Sequence, residues 1–241
     1  MTSFWLHIIA MFCMLLDHIW GLGLINNDIL TCIGRIAFPI FAFMIVEGYF
    51  KTSNLKKYVG RLFIFALISE IPFNLMIGGR VFYPMGQNVL WTFLIGIGLI
   101  WLMEKVNSKN IAIRSLTLVG VLLLGFVLGI VTFCDYHYAG VFMVLVFYFF
   151  RGKKWYLMLA QLVCLYYINT EMLGGFEYVF TLFEHEVHLL RQSLSLIALI
   201  PIWLYNGKQG YYNKYIKYWY YSFYPCHIML LWGLKQIVLM G

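Results

Sequence analysis

The chain has 241 residues, of which 63% are hydrophobic and only 11% are charged. A soluble domain is about a quarter charged, so this composition excludes a water-covered globular protein and points to the lipid bilayer. The formal charge of +7 does not indicate a nucleic-acid partner, because the basic residues are dispersed among short hydrophilic gaps rather than gathered into one patch.

In chain order, about nine apolar runs approach the length that crosses roughly 30 Å of hydrocarbon. They occupy approximately 4–25, 29–50, 58–77, 88–103, 115–134, 138–150, 155–170, 194–205 and 216–239. The sixth and eighth are short and read either as tilted partners or as spans that extend into neighbouring loops. The first has no basic segment before it, and Asp17 and His18 interrupt it where a signal peptide would be clean. It therefore reads as a retained span. No repeat, linker or low-complexity stretch divides the chain, so the expectation is a single domain over 1–241. The expected fold class is an all-α polytopic integral protein of the cell membrane, surrounded by membrane lipids.

The positions of lysine and arginine predict its orientation. Alternate gaps hold Lys51, Lys56, Lys57 and Arg61, then Lys105, Lys109 and Arg114, then Arg151, Lys153 and Lys154, then Lys208, Lys214 and Lys217. The opposite gaps hold only Arg80 and Arg191, and they collect Asp28, Asp135, Glu171, Glu177, Glu184 and Glu186. The basic side faces the cytoplasm by the positive-inside rule, which predicts a cytoplasmic N-terminus and an external C-terminus.

Ionisable groups inside a bilayer are costly unless paired or solvated. Helical rise puts Asp17 and His18 about 20 Å up the first span, and Arg35 and Glu70 at about the same height. Asn74 lies one turn beyond Glu70, while Asn88, Asp135 and His137 mark the outer ends of their spans. This layer can be a structural ion-pair network or a proton-transfer site, and spacing leaves both open. His227 follows Pro225 in the last span, where a bend marks either a cavity or a packing histidine. The tyrosines from Tyr211 to Tyr224 read as an interfacial aromatic belt. Glu184, His185, Glu186 and His188 form no tetrahedral ligand set, so 171–191 reads as a solvated loop or interfacial helix without a metal. The five cysteines lack a paired motif and read as small core residues.

A series of ordered segments resembles the TraX family. They begin with Ile9-Ala10-Met11, then Met14-Leu15-Leu16-Asp17-His18-Ile19, and continue with Gly34-Arg35-Ile36-Ala37-Phe38-Pro39 and Glu47-Gly48-Tyr49. Ser69-Glu70-Ile71-Pro72-Phe73-Asn74, Asn88-Val89-Leu90 and Gly140-Val141 follow, and Tyr205-Asn206-Gly207-Lys208 and Phe223-Tyr224-Pro225-Cys226-His227 complete the series. The TraX family is named for a conjugative-pilus protein that N-acetylates pilin, and it is similar to the larger transmembrane acyltransferases. Many of those carry a basic residue, ten intervening residues and then a first-span histidine; here the frame reads His7-x10-His18.

The resemblance implies transfer of an acetyl or other acyl group from cytoplasmic acetyl-CoA to an extracytoplasmic acceptor, a peptide amine or a glycan. His18 would act as general base or transient acyl carrier, Asp17 would orient it, and Arg35 would stabilise developing negative charge. Glu70, Asn74, Asn88, Tyr224 and His227 would shape the acceptor pocket, and His7, Asn206 and Lys208, together with the basic inner loops, would receive the donor. The same residues are also compatible with a proton-coupled transporter or flippase, or with a non-catalytic membrane partner of a surface-assembly system.

Overall fold

A computed structural model of the chain describes residues 1–106, 108, 110–182 and 185–240. Lys109 and Glu184, both counted above, lie outside the described residues. The helices are α1 (Ser3–Gly21), α2 (Asp28–Gly34), α3 (Ala37–Lys51), α4 (Leu55–Gly78), α5 (Val89–Lys105), α6 (Ile111–Val131), α7 (His137–Phe149) and α8 (Trp155–Tyr167). A π-helical turn (Ile168–Leu173) leads to strands β1 (Glu177–Leu182) and β2 (His185–Leu190). A 3-10 helix (Arg191–Ala198), the short α9 (Leu199–Trp203) and the long α10 (Lys214–Met240) follow. Among the described residues, four helical segments are long and apolar enough to cross a membrane: α1, the α2–α3 pair, α4 and α6.

Asparagines start the helices. Asn27, Asn54, Asn88 and Asn110 each accept a backbone N–H in the first turn of α2, α4, α5 and α6, satisfying donors that have no intrahelical partner. The expected second span is broken between Gly34 and Ala37. Pro39 explains the break, since it offers no N–H to the Arg35 carbonyl and its ring crowds that oxygen. Pro201 acts similarly in the expected eighth span, where only five residues are α-helical.

The segment 171–191 departs from the expected loop or interfacial helix. It contains an antiparallel hairpin with Glu177 opposite Leu190 and Val179 opposite His188. Tyr178 and Val179 are strand formers, and the diagonal contact between His188 Nδ1 and Glu177 Oε1, at 3.3 Å, links the strands. The Tyr178 hydroxyl donates to Asp28 Oδ2 at 3.1 Å, docking the hairpin on the start of α2.

The main core forms around α7, whose Val141, Met143, Val144, Leu145 and Phe147 are almost wholly enclosed. Close approach of α5 needs glycine at position 96, because a Cβ there would stand 2.7 Å from a Val144 methyl. A second cluster joins Cys13 and Met14 of α1 to Ala37, Phe73, Tyr224 and Ile228. The five cysteines are free thiols.

Candidate active site

The second cluster supports the two histidines that were expected to act separately. His18 of α1 and His227 of α10 lie 209 positions apart, yet His18 Nδ1 is 2.7 Å from His227 Nε2. Their rings are almost coplanar, at 1° with centroids 4.9 Å apart. On its other side His227 Nδ1 donates to the Phe223 carbonyl at 2.6 Å, one turn back along the same helix. The Phe223 ring stacks on His227 with centroids 4.7 Å apart. Tyr224 completes the group, its centroid 6.2 Å from that of His18.

Asp17 is not the partner of His18. Successive residues on a helix point about 100° apart and do not face each other. Both Asp17 carboxylate oxygens accept from Arg35 Nη2, and the Thr31 hydroxyl donates to Asp17 Oδ1 at 2.8 Å. Gly34 makes this approach possible, because a Cβ there would overlap Asp17. Arg35 reaches further through Nη1 to Gln192 Oε1 at 3.4 Å, and Gln192 donates to Asn169 at 3.0 Å. Nearby, at the α6–α7 turn, burial pushes the Asp135 carboxyl up to about 6, with the Arg35 charge pulling it back down.

Glu70 and Asn88 are engaged with each other. Glu70 Oε1 accepts from the backbone and side-chain nitrogens of Asn88 and from Trp91 Nε1 at 2.7 Å. Asn88 also donates to the Ala66 carbonyl at 2.8 Å. These contacts pin the start of α5 against α4, with a carboxylate facing the positive end of the α5 dipole. Asn74 donates to the Val81 carbonyl at 3.1 Å; its buried side-chain oxygen has no protein partner among the described residues.

A cavity of about 710 Å³ runs from the basic end of the bundle toward this group. Lys51, Lys57, Arg61 and Lys217 line its basic end, and Leu90 with the buried Met14, Phe93 and Tyr224 lines its deep end. Tyr224 therefore belongs both to the cavity wall and to the histidine cluster. His7 also lines the cavity, stacked on Tyr220 at 3.9 Å between centroids and donating from Nδ1 to the Ser3 carbonyl at 2.8 Å. Lys51 is held by Glu47 at 3.0 Å and by the Gly207 carbonyl at 2.7 Å. Asn206 and Lys208 are outside the lining. The Asn206 side chain accepts from the Lys208 N–H at 3.0 Å, and the Lys208 carbonyl accepts from Ser3 N at 2.9 Å, holding the start of α1.

Sequence reasoning missed two features. The basic inner loops read both as a topology signal and as a landing for the donor's anionic end, but nothing in that reading gathers Lys51, Lys57, Arg61 and Lys217 at one cavity mouth, although tyrosine accompanies base at 57–61 and 217–221. The His18–His227 contact had no local signal at all. Among the described residues no group of three or more His, Cys, Asp or Glu is placed to hold a metal.

Fold and site together define an α-helical membrane protein with an ionisable cluster between helices and a deep cavity with a basic mouth. The chain belongs to the TraX family: residues 4–235 match the family described as TraX protein. It is similar to the probable fimbrial assembly protein FimC, serogroup H1, of Dichelobacter nodosus. The two are 29% identical over 98% of this chain and 97% of that relative. No solved structure matches the chain.

Proposed function

We propose that this protein is a multi-pass membrane acyltransferase that moves an acetyl group from acetyl-CoA to an acceptor on the far side of the cytoplasmic membrane. The observation that carries the reading is the cavity whose basic mouth leads to Tyr224 beside His18. Its residues suit an acyl-CoA. Lys57, Arg61 and Lys217 match the phosphates of the nucleotide end, the tyrosines offer stacking faces, and the deep end is apolar around Met14, Leu90 and Phe93.

The chemistry is a single exchange. The acceptor nitrogen or oxygen attacks the thioester carbonyl, a C–N or C–O bond forms, and the C–S bond breaks. His18 takes the acceptor proton and returns it to the departing thiolate, so protons balance within one turnover. In this reading Asp17 and Arg35 form a fixed ion pair that holds α1 against the α2–α3 break. The positive-inside rule puts the basic mouth in the cytoplasm, with acetyl-CoA. The relative's association with fimbrial assembly favours a secreted peptide such as a pilin-like subunit as acceptor, with an envelope glycan as the other class.

The test is mass spectrometry of surface peptides and glycans from cells with and without the protein, together with thiol release from acetyl-CoA by the purified protein in lipid nanodiscs. An acetylated surface species that depends on the protein supports the reading. Unchanged surface chemistry, with no thiol release in the presence of the same cell-surface extract, overturns it.

A further inference from the structure

We infer that His227 is a positioning residue that sets the tautomer of His18 and so selects Nε2 as the reactive nitrogen. The inference rests on the proposed role of His18 as base, but its geometry is independent of any substrate. The argument starts at the Phe223 carbonyl. A carbonyl oxygen only accepts hydrogen bonds, so the 2.6 Å contact from His227 Nδ1 requires a proton on that nitrogen. In a neutral imidazole the other nitrogen is then a lone pair. His227 Nε2 therefore accepts, and the atom 2.7 Å away, His18 Nδ1, must donate to it. That leaves the lone pair of neutral His18 on Nε2.

A free imidazole side chain favours the opposite arrangement, with its proton on the nitrogen more distant from the backbone. Without His227, His18 would carry its proton on Nε2, and the lone pair would sit on Nδ1, the nitrogen turned toward α10. One backbone carbonyl thus dictates the reactive atom through two rings. The near-parallel ring planes, at 1°, and the Phe223 ring stacked on His227 hold the relay against rotation. Asp17, the other candidate for this task, is already taken by Arg35 and Thr31.

The experiment is ¹⁵N NMR of histidine-labelled protein in lipid, which distinguishes protonated from bare ring nitrogens and needs no turnover. The His18 signals are assigned by their loss in His18→Ala. Wild-type protein should show His18 protonated at Nδ1 and bare at Nε2. In His227→Leu the proton should move to Nε2, whereas in His227→Gln, whose amide oxygen can accept, it should stay on Nδ1. Wild-type His18 protonated at Nε2, or an unchanged tautomer in folded His227→Leu, overturns the inference. The wild-type spectrum decides the first point even if the leucine variant does not fold.

Kinetics supply the second arm. His227→Leu should lose on the order of 10²–10⁴-fold in kcat, the contribution of a positioned general base, the upper end being the loss seen when a catalytic histidine is held in the wrong tautomer. KM for acetyl-CoA should hold, and His227→Gln should recover much of the rate. Equal loss in both variants would make His227 a packing residue. Absence of acyl transfer in the wild type would strike the proposed function, while the spectra would still judge the tautomer.

Discussion

At the scale of single residues, the polar layer divides into a histidine pair and an ion pair, and the proposed function gives the chemistry to the first. His18 has a nitrogen to spare and a neighbour that orients it; Arg35 and Asp17 are committed to each other. His18→Ala should therefore reduce acyl transfer by at least about two orders of magnitude, the usual contribution of a positioned general base. Expression and membrane insertion should stay near wild type, which separates loss of chemistry from loss of fold. Arg35→Ala should behave differently. It strands a half-buried carboxylate, which costs roughly 3 kcal/mol when the partner of a buried ion pair is removed. The measurement is thermal unfolding in detergent; a wild-type melting curve with lost activity would move Arg35 into the chemistry. The sequence exposed His18 because an imidazole in an apolar run has no bland surroundings. It hid the assignment of Asp17, since adjacency in sequence suggested a pairing that helical geometry forbids.

Whole elements carry a second lesson about charge. Helices α3, α4 and α10 bring Lys51, Lys57, Arg61 and Lys217 to one cavity mouth, whereas Lys153 and Lys154, before α8, lie outside it. A membrane-topology signal would treat all of these alike, but a donor site would not. Combined Lys57→Ala and Arg61→Ala should raise KM for acetyl-CoA at least about tenfold, given about 1.5–3 kcal/mol for each hydrogen bond to a charged group. Combined Lys153→Ala and Lys154→Ala should leave it unchanged. Similar rises in both double variants would reduce the mouth to a topology feature.

The α4–α5 junction invites the reverse comparison. Asn88 caps α5 and also bonds Glu70 and Ala66, so Asn88→Ala should cost about 1–2 kcal/mol of stability. The rate per folded molecule should stay close to normal, as read by melting and by activity after normalisation. Lost activity at an unchanged melting temperature would return Asn88 to the acceptor pocket.

Most elements were legible at this scale, because apolar run length and capping asparagines are local properties. The breaks at Arg35–Ile36 and around Pro201 followed from prolines that the span count passed over. The hairpin was not legible, because its strand formers sit among glutamates and histidines that read as solvated loop.

Across the whole molecule, the distribution of charge and the direction of the cavity make one joint prediction about sidedness. The cavity follows α1 from Ser3 to Met14, about 16 Å by helical rise, and His18 lies one turn beyond. An extended pantetheine arm is roughly 15–20 Å long, from the bond geometry that gives about 3.5 Å per extended residue. A donor whose phosphates rest at Lys57 and Arg61 would therefore deliver its thioester near Tyr224 without the charged end leaving the basic mouth. That is the required arrangement if a polar anion cannot enter hydrocarbon and the acceptor approaches from the opposite side. Inverted membrane vesicles containing this protein should consume added acetyl-CoA and acetylate acceptor trapped in the lumen. Sealed right-side-out vesicles given the same donor should stay inactive until permeabilised. Equal rates in both orientations, with the seal verified by a trapped dye, would rule out transfer across the membrane even for a protein that proved to be an acyltransferase, because the cavity would then open to the wrong compartment.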